Sequence, residues 1–504
     1  MKKKNIYRFL LLLSVSIGIT YWLSPVFSIQ KKAAPTNTSQ EFTVFLDREI
    51  PRLMEAYDIP GVVIGLISDG KPVWKNAYGA ADVEAGRNMT TDTYGRMESI
   101  SKSVTAWGVM KLVEEGKIHL DTPVTRYLKT WEFPESSFDE RLITPRLLLS
   151  QNAGMPLGTI GVRYSPTEEK PSLRELLSRD AVIQEEPGKH FSYSNTGFVL
   201  LELLIEEVTQ RSFSEYMEQE ILLPLGMQKS SFEWRPTFSP PVANGYDNSG
   251  NPIPVYVYPD KAAGGLFATL DDIMHFVIAG FQGESAGIGV LSEKSIQTIY
   301  TPQVEISGLY GEAFEYYGLG HFIDELPNGK RAVSHGGQGT GWMTQFYAVP
   351  EDGNGLVIFA NSQRSWPVFA VILNEWGSYK GYGTIGMGEL VIASKIIWIC
   401  FGLLMFFLLW KTWQLGEDIR LQKRHFAPLS PQQRLRRIFY LLLFIALSGL
   451  LLFSVTADYF EPASLFPVAM EWLGYLGILF LLQLGVLVLF PRRAEADKVR
   501  STGH

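Results

Sequence analysis

The stretch MESISKSVTAWGVMKLVEEGKIHL, at residues 97–120, is the part of the chain from which the fold can be predicted. Its apolar residues recur at helical spacing, and Glu114-Glu115-Gly116 predicts where the helix ends. Ser99 and Lys102 stand three residues apart at its start, so we expect the hydroxyl and the amine to lie on one helical face.

This arrangement is typical of a serine nucleophile with a lysine as its proton acceptor. The first turn of a helix also offers free backbone N–H groups, which stabilise a developing oxyanion. The spacing alone is weak evidence, because Ser28 and Lys31 repeat it in a segment where it predicts no chemistry.

Composition excludes several other classes of protein. The 504 residues carry a net charge of −7 and no long basic run outside the membrane flanks, so no nucleic-acid partner is expected. The only cysteine, Cys400, lies in an apolar run, which excludes a disulfide framework. The seven histidines lack the spacing of metal ligands, so we expect neither a metal site nor a cofactor.

Apolar runs at both ends of the chain predict membrane spans. Basic residues 2–8 precede an uncharged run of 22 residues, 9–30, and we interpret residues 1–31 as an uncleaved anchor. A cleaved signal peptide is the alternative for this segment. Within residues 386–491 three further runs, about 390–410, 438–457 and 472–490, predict three transmembrane helices.

Charges between these runs predict their orientation. Residues 411–437 hold seven Lys or Arg against two acids, whereas 458–471 hold three acids and no base. By the positive-inside rule the N-terminus, the 411–437 loop and the tail 492–504 are cytoplasmic. We therefore expect a multi-pass protein of the bacterial plasma membrane whose globular domain, residues 41–385 after a linker at 32–40, lies outside the cytoplasm.

Strand patterns lie at both ends of the globular region. Asp69-Gly70 between apolar runs predicts a hairpin over 62–78, after a helix over 41–57. Later strands are expected at 317–324, 343–349 and 355–360. Strands from both ends around a helical middle predict an α+β fold, with one antiparallel sheet built from both ends of the domain and a mainly helical insertion.

Two further motifs carry residues suited to catalysis. In Tyr193-Ser194-Asn195, a phenol near an ammonium can have its pKa lowered and accept a proton, and the Asn195 amide can donate to a substrate carbonyl. In VSHGGQGTG, residues 333–341, glycines allow close approach to a strand edge. The plainer interpretations are Asn195 as a helix N-cap, a simple glycine turn, and His335 as a structural histidine.

Together, S-x-x-K, Y-x-N and H-x-G resemble the serine β-lactamase and penicillin-binding-protein family, in particular its class C β-lactamase and D-peptidase/esterase branch. The resemblance covers about residues 40–380. It extends to LITPRLLLSQNAGMP (142–156), EILLPLGMQKSSF (220–232) and AAGGLFATLDDIMHF (262–276), which occur in the family's order.

The resemblance implies an α+β fold in which the antiparallel sheet is flanked by helices plus a helical lobe, with the active site between them. It also implies a role for each motif residue. Ser99 is the acylated nucleophile, Lys102 its proton partner and Tyr193 a second acid/base. Substrate-binding residues are Asn195, His335, Gly337 and Gln338, and the N–H groups of Ser99 and Gln338 form the oxyanion hole.

Two departures from the family pattern limit these expectations. His335-Gly336-Gly337 replaces K-T-G, so the fixed ammonium and the hydroxyl that grip a substrate carboxylate are both missing. Efficient β-lactam hydrolysis and strict carboxypeptidase action are therefore not expected. Gln151-Asn152-Ala153-Gly154 stands where many relatives have H-T-S-G.

We expect a membrane-anchored serine hydrolase acting on a small peptide, amide or ester. The expected enzyme is a peptidase or amidase that acts on D-amino-acid-containing peptides. Because its transmembrane domain resembles that of prodrug-activating peptidases, a secreted peptide prodrug is also an expected substrate. An esterase and a penicillin-binding sensor that is acylated without turnover are the alternatives. A transporter is disfavoured because the spans contain few polar residues. The expected partners are the substrate and the bilayer, and the transmembrane helices offer a route to self-association.

Overall fold

The computed structural model describes residues 3–27, 39–158, 162–283, 286–427, 434–456 and 461–492. Contacts divide the chain into two compact units. One contains residues 32–390, and the other combines residues 1–31 with residues 391–504. Each unit is described by itself below.

A nine-stranded antiparallel sheet organises the 32–390 unit, in the order β3-β2-β1-β13-β12-β11-β10-β9-β8. The described strands are β1 Gly61–Ser68, β2 Lys71–Asp82, β3 Arg87–Asn88, β4 Gly95–Arg96, β5 Gly245–Tyr246, β6 Pro252–Ile253, β7 Phe267–Ala268, β8 Val304–Glu305, β9 Tyr316–Tyr317, β10 Phe322–Glu325, β11 Arg331–Gly339, β12 Trp342–Val349 and β13 Asn354–Ala360. Pairs β4–β7 and β5–β6 form two small separate sheets.

The expected sheet built from both ends of the domain is confirmed, because β1 pairs with β2 on one side and with β13 on the other. Asp69 and Gly70 turn the β1–β2 hairpin with φ of 50° and 70°, as such short hairpin turns require. The expectation of one strand over 317–324 is wrong. Positive φ at Gly320 turns the chain there, so the segment forms two short strands, β9 and β10, which pair with each other.

Helices cover both faces of the sheet and build the lobe. The α-helices of this unit are α2 Ser39–Tyr57, α3 Ile100–Glu114, α4 Pro145–Leu149, α5 Leu173–Asp180, α6 Asn195–Thr209, α7 Phe213–Met217, α8 Leu270–Ala279, α9 Glu293–Ile299 and α10 Trp366–Lys380. A Cβ on Gly65 of β1 would meet Met274 of α8, whereas one on Gly336 of β11 would meet Trp366 of α10. Helices α8 and α10 therefore lie over opposite faces, and α3 packs against β11 and β12.

The core explains why α3 is apolar nearly all round. Its residues from Ile100 to Met110 are all buried, because the helix lies between the sheet and the helices of the lobe. Trp107 and Val104 are fully buried in a cluster that joins α3, α6, α8 and the inner face of the sheet. Burying an apolar side chain of this size contributes about 1.5–3 kcal/mol, so α3 is anchored by its packing.

The second unit consists of long apolar helices. They are α1 Lys3–Leu23, α11 Gly388–Arg420, α12 Arg434–Thr456 and α14 Pro467–Leu489, with a short helix α13 Glu461–Leu465 before the last. Among the described residues these four long helices are long and apolar enough to cross a membrane. The apolar C-terminal helices fit the expected membrane anchor. Helix α11 extends ten residues beyond the expected end at 410, because the chain stays helical through the polar residues to Arg420.

Helix α1 packs along α11 inside this unit. Ser16 donates a hydrogen bond to the Gly402 carbonyl at 2.6 Å, and Phe9 contacts Phe406 with ring centroids 5.0 Å apart. Arg8 lies 3.6 Å from Glu417. Small residues and polar bonds of this kind hold apolar helices together where lipid offers no hydrophobic driving force. The part of the 9–30 prediction that falls on residues 28–30 lies outside the described residues.

Candidate active site

Ser99 stands at the N-terminus of α3, as predicted. It is the N-cap residue, yet its hydroxyl caps no backbone N–H, so Oγ is available to other partners. The preceding residue, Glu98, has φ of 49°, an uncommon value for a side chain of this size. This sharp turn presents the serine at the start of the helix, where backbone N–H groups converge.

Lys102 is the partner of the serine hydroxyl. Its Nζ lies 3.0 Å from Ser99 Oγ and donates a 2.8 Å bond to the Ala263 carbonyl. The side chain is fully buried. Burial lowers its pKa to about 7, although the carboxylates of Asp260 and Glu98 oppose the shift. A substantial neutral fraction near pH 7 allows this amine to accept the serine proton.

The backbone at residues 261–263, where the Ala263 carbonyl accepts from Lys102, is held in place by a buried carboxyl group on α6. Glu202 accepts hydrogen bonds from the backbone N–H groups of Lys261 and Ala262, at 2.6 and 2.8 Å. Burial and the neighbouring Asp260 raise the pKa of Glu202 to about 8. Tyr193 and Asn195 thus lie at the start of α6. Two turns further along the same helix, Glu202 fixes the backbone segment whose Ala263 carbonyl accepts from Lys102.

Tyr193 bonds to Ser99 through its hydroxyl. Its ring centroid lies 5.0 Å from Lys102 Nζ. We expected the ammonium to lower the pKa of this phenol, and that expectation is wrong. Burial raises the pKa well above 10, with the neighbouring Tyr310 as a further cause. Tyr193 is therefore a protonated donor at neutral pH, and of the two groups Lys102 is the one with a substantial fraction in its proton-accepting form.

Gln151 fixes the loop that carries Tyr193. Its side-chain Oε1 accepts from the Ser194 N–H and its backbone carbonyl accepts from the Ser192 N–H, both at 2.7 Å. Ser194 in turn caps α6 by accepting from the Gly197 N–H at 2.9 Å. The interpretation of Asn195 as the N-cap is therefore wrong. The Asn195 side chain stays half-buried at the first residue of the helix.

His335 lies beneath the site as a sealed neutral ring. It is fully buried; its Nε2 lies 3.0 Å from the Tyr317 hydroxyl and its Nδ1 lies 2.7 Å from the Gly336 carbonyl. The resemblance implied a substrate-binding residue at this position. Burial and the nearby Lys102 lower its pKa well below 6.5. The ring therefore carries no positive charge at neutral pH.

Alternation along β11 explains its glycines. A Cβ on Gly337 would lie 2.4 Å from the Met97 carbonyl, and one on Gly339 would lie 2.3 Å from the Glu98 carboxyl carbon. His335, Gly337 and Gly339 thus face α3, and the glycines let the strand approach the turn before Ser99. We had assigned these glycines to substrate approach. The packing against Met97 and Glu98 is a sufficient structural reason for them.

Gln338 points the other way. Its side-chain Oε1 accepts a 2.6 Å bond from the Trp366 indole N–H on α10. In the described sheet, residues 335–339 pair with β12 alone, because β10 pairs only with residues 331–334. The strand pairing of β11 with β10 therefore ends at Ser334. The oxyanion-hole role of the Ser99 and Gln338 N–H groups and the substrate contacts of Asn195, His335, Gly337 and Gln338 stay predictions.

Glu98 belongs to a buried network that the sequence did not reveal. Its carboxylate lies 2.8 Å from Arg96 Nε and accepts from the hydroxyls of Tyr256 and Tyr258, both at 2.9 Å. Arg96 also lies over the Tyr256 ring. Four residues from two segments thereby lock the turn that precedes the nucleophile. The sequence signal for this network was the pair of oppositely charged residues, Arg96 and Glu98, on either side of the apolar Met97.

Comparison with known proteins identifies the family of the chain. The profile of the family described as Beta-lactamase matches residues 46–372, more than half of the chain. The chain belongs to this family. The matched range contains all the motif residues, from Ser99 to Gln338.

Its relatives are penicillin-binding proteins and their homologues. The chain is 24% identical to Protein flp of Staphylococcus aureus (strain N315) over 425 residues, covering 78% of this chain and 80% of the relative. It is also 24% identical to penicillin-binding protein 4* of Bacillus subtilis (strain 168) over 334 residues, covering 62% and 70%. The octameric penicillin-binding protein homologue from Pyrococcus abyssi superposes with a TM-score of 0.56 at 28% identity, covering 68% of this chain and 78% of that one.

Proposed function

We propose that this chain is a membrane-anchored hydrolase that forms an acyl-enzyme on Ser99, and that it acts as a peptidase or amidase on a D-amino-acid-containing peptide or a secreted peptide prodrug. The observation that supports this most strongly is the 3.0 Å contact between Ser99 Oγ and the buried Lys102 amine, whose pKa is lowered to about 7.

In the acylation step, Ser99 Oγ forms a bond to the substrate carbonyl carbon while its proton passes to neutral Lys102. The C–N or C–O bond then breaks, and the leaving group takes a proton from the Tyr193 hydroxyl, which Lys102 replenishes. In deacylation, water attacks the ester carbon, its proton passes to the same groups, and the Ser99 hydroxyl is restored with release of the acid.

An esterase of the same family is the second candidate. The observation that favours it is the sealed, neutral His335, which places no positive charge under the strand edge. A substrate with a free carboxylate beside the scissile bond therefore gains little from this residue. A neutral ester or amide loses nothing.

A third candidate, a sensor that is acylated without turnover, is separated from both hydrolases by kinetics. A hydrolase releases product repeatedly, whereas a sensor stops at one acyl group per Ser99.

Substrate profiling tests the proposal. The full-length protein in detergent micelles is given matched pairs of N-acyl-D-amino and N-acyl-L-amino amides and the corresponding esters, with Ser99→Ala as the inactive control. We expect multiple turnovers that require Ser99 and favour the D series. A stable acyl-enzyme with a single turnover would support the sensor, and equal turnover of both series would remove the D-amino-acid assignment.

Extracytoplasmic action at the bacterial plasma membrane is part of the same proposal. It rests on the excess of basic residues at 411–437 over 458–471, and on four helices long and apolar enough to span. An enzyme placed there meets secreted peptides and cell-wall peptides, which are sources of D-residues in bacteria.

A further inference from the structure

Tyr310 extends the active site with an exposed aromatic ring. It lies in the 3₁₀ turn Gly308–Glu312 between β8 and β9, and 40% of its surface is exposed. Its ring is stacked on that of Tyr193, with centroids 5.5 Å apart and planes inclined by 13°. The closest aromatic neighbour of the proton-donating phenol on this side is thus a ring open to solvent.

Two further aromatic rings contact the ring of Tyr310. Phe191 meets it edge-on at 6.1 Å, and Phe322 lies parallel to it at 6.5 Å. Tyr193 and Phe191 pack in turn on a buried cluster that includes Tyr317, which covers the neutral His335. This wall of the site therefore presents ring faces to an incoming substrate.

The chemistry determines which part of the substrate meets this wall. When the tetrahedral intermediate collapses, the leaving nitrogen or oxygen must receive a proton. Tyr193 is the protonated group that is hydrogen-bonded to Ser99. The leaving group must therefore lie against the Tyr193 hydroxyl. The Tyr310 ring, whose centroid is 5.5 Å from that of Tyr193, is then an exposed aromatic surface next to that leaving group.

We propose that Tyr310 is a specificity-determining residue that binds an apolar, preferentially aromatic, leaving group by ring contact. This inference rests on the proposed function, because it assumes acylation of Ser99 with Tyr193 as the donor. An aromatic pair in such a half-exposed position changes the rate by about 5- to 10-fold.

The test compares two esters of N-acetyl-D-alanine, the benzyl ester and the 2-methoxyethyl ester, whose alcohols have similar basicity. The value of kcat/KM reports acylation, so its ratio between the esters isolates the leaving-group contact. The same ratio is independent of the fraction of folded enzyme. Full-length protein in detergent is used for the unmodified chain and for Tyr310→Ala, Tyr310→Phe and Tyr379→Ala.

We expect the unmodified enzyme and Tyr310→Phe to favour the benzyl ester about 5- to 10-fold, and Tyr310→Ala to lose this preference. Tyr379→Ala is the matched control, because Tyr379 stacks on Phe42 at 4.6 Å away from the motif residues, and it should retain the preference. An unmodified enzyme without preference, or a Tyr310→Ala variant that keeps it, would overturn the inference while leaving Ser99 acylation intact. If neither ester is turned over, the proposed function itself fails.

Discussion

His335 Nε2 lies 3.0 Å from the hydroxyl of Tyr317, and both side chains are completely buried. In the strand-edge motif of this chain, the buried His335–Tyr317 pair therefore stands where a lysine would offer a charged amine. Burial lowers the pKa of His335 well below 6.5, so the ring stays neutral across the physiological range.

Consequently the enzyme should show no gain for a substrate carboxylate at any ordinary pH. We expect the ratio of acylation rates for a free-carboxylate depsipeptide and its amide-capped counterpart to stay flat from roughly pH 5.5 to 8.5. Stopped-flow acylation measures the ratio. A tenfold gain for the carboxylate on acidification would mean that His335 becomes charged and reaches the substrate. His335→Lys should destabilise the protein, because it buries a second amine beside Lys102.

Lys102 should govern the pH dependence of acylation. Its pKa is lowered to about 7 by burial, and the neutral amine is the form that accepts the serine proton. The acylation rate should therefore rise with pH and level off above an inflection near 7. Asp260 raises the pKa of Lys102, so Asp260→Asn should move the inflection to lower pH.

The matched control for that shift is Asp271→Asn, because Asp271 is an exposed carboxylate paired with Lys75. It should leave the inflection where it is. An inflection at about pH 9 or above would show that Lys102 keeps an ordinary ammonium pKa, and this account of the nucleophile's activation would then be wrong.

Gly339→Ala should damage both stability and acylation. The new Cβ would fall 2.3 Å from the carboxyl carbon of Glu98, and this carboxylate is held by Arg96, Tyr256 and Tyr258. Overpacking of this kind costs about 1–3 kcal/mol. Thermal unfolding and probe labelling measure the two effects. Gly197→Ala is the control, since its Cβ would meet ordinary contacts of 3.5 Å or more; equal behaviour of the two variants would contradict the packing role of Gly339.

Reporter fusions test the orientation of the spans. A fusion that ends after Gln422 should place the reporter in the cytoplasm, and one that ends after Ser464 should place it outside, because basic loops are retained inside. Alkaline phosphatase and green fluorescent protein give opposite readouts for the two compartments. The reverse pattern would put the 32–390 unit in the cytoplasm and exclude secreted peptides as substrates.

Local patterns predicted much of this structure. Three features follow from the spacing and length of apolar runs, which are local properties of the sequence. They are the hairpin at Asp69-Gly70, the helix after Ser99 and the apolar spans. The resemblance added the order of the motifs, the flanking helices and the helical lobe. These features needed no knowledge of distant contacts.

The remaining features depend on contacts between distant segments. His335 is sealed by Tyr317 and Phe322, which lie in strands that the sequence suggested were one. Burial also reversed the expected pKa shift of Tyr193. Glu202 lies on α6, and nothing local in the sequence shows that its carboxyl group holds residues 261 and 262.

The central claim is that Ser99 is the residue that becomes acylated. Intact-mass analysis of the full-length protein after treatment with a fluorophosphonate tests it, with Ser99→Ala and Ser101→Ala compared side by side. Ser101 is the nearest serine that bonds elsewhere, since its hydroxyl accepts from the Leu266 N–H. We predict one adduct per chain in the unmodified protein and in Ser101→Ala, and none in folded Ser99→Ala; an undiminished adduct in Ser99→Ala would contradict the account.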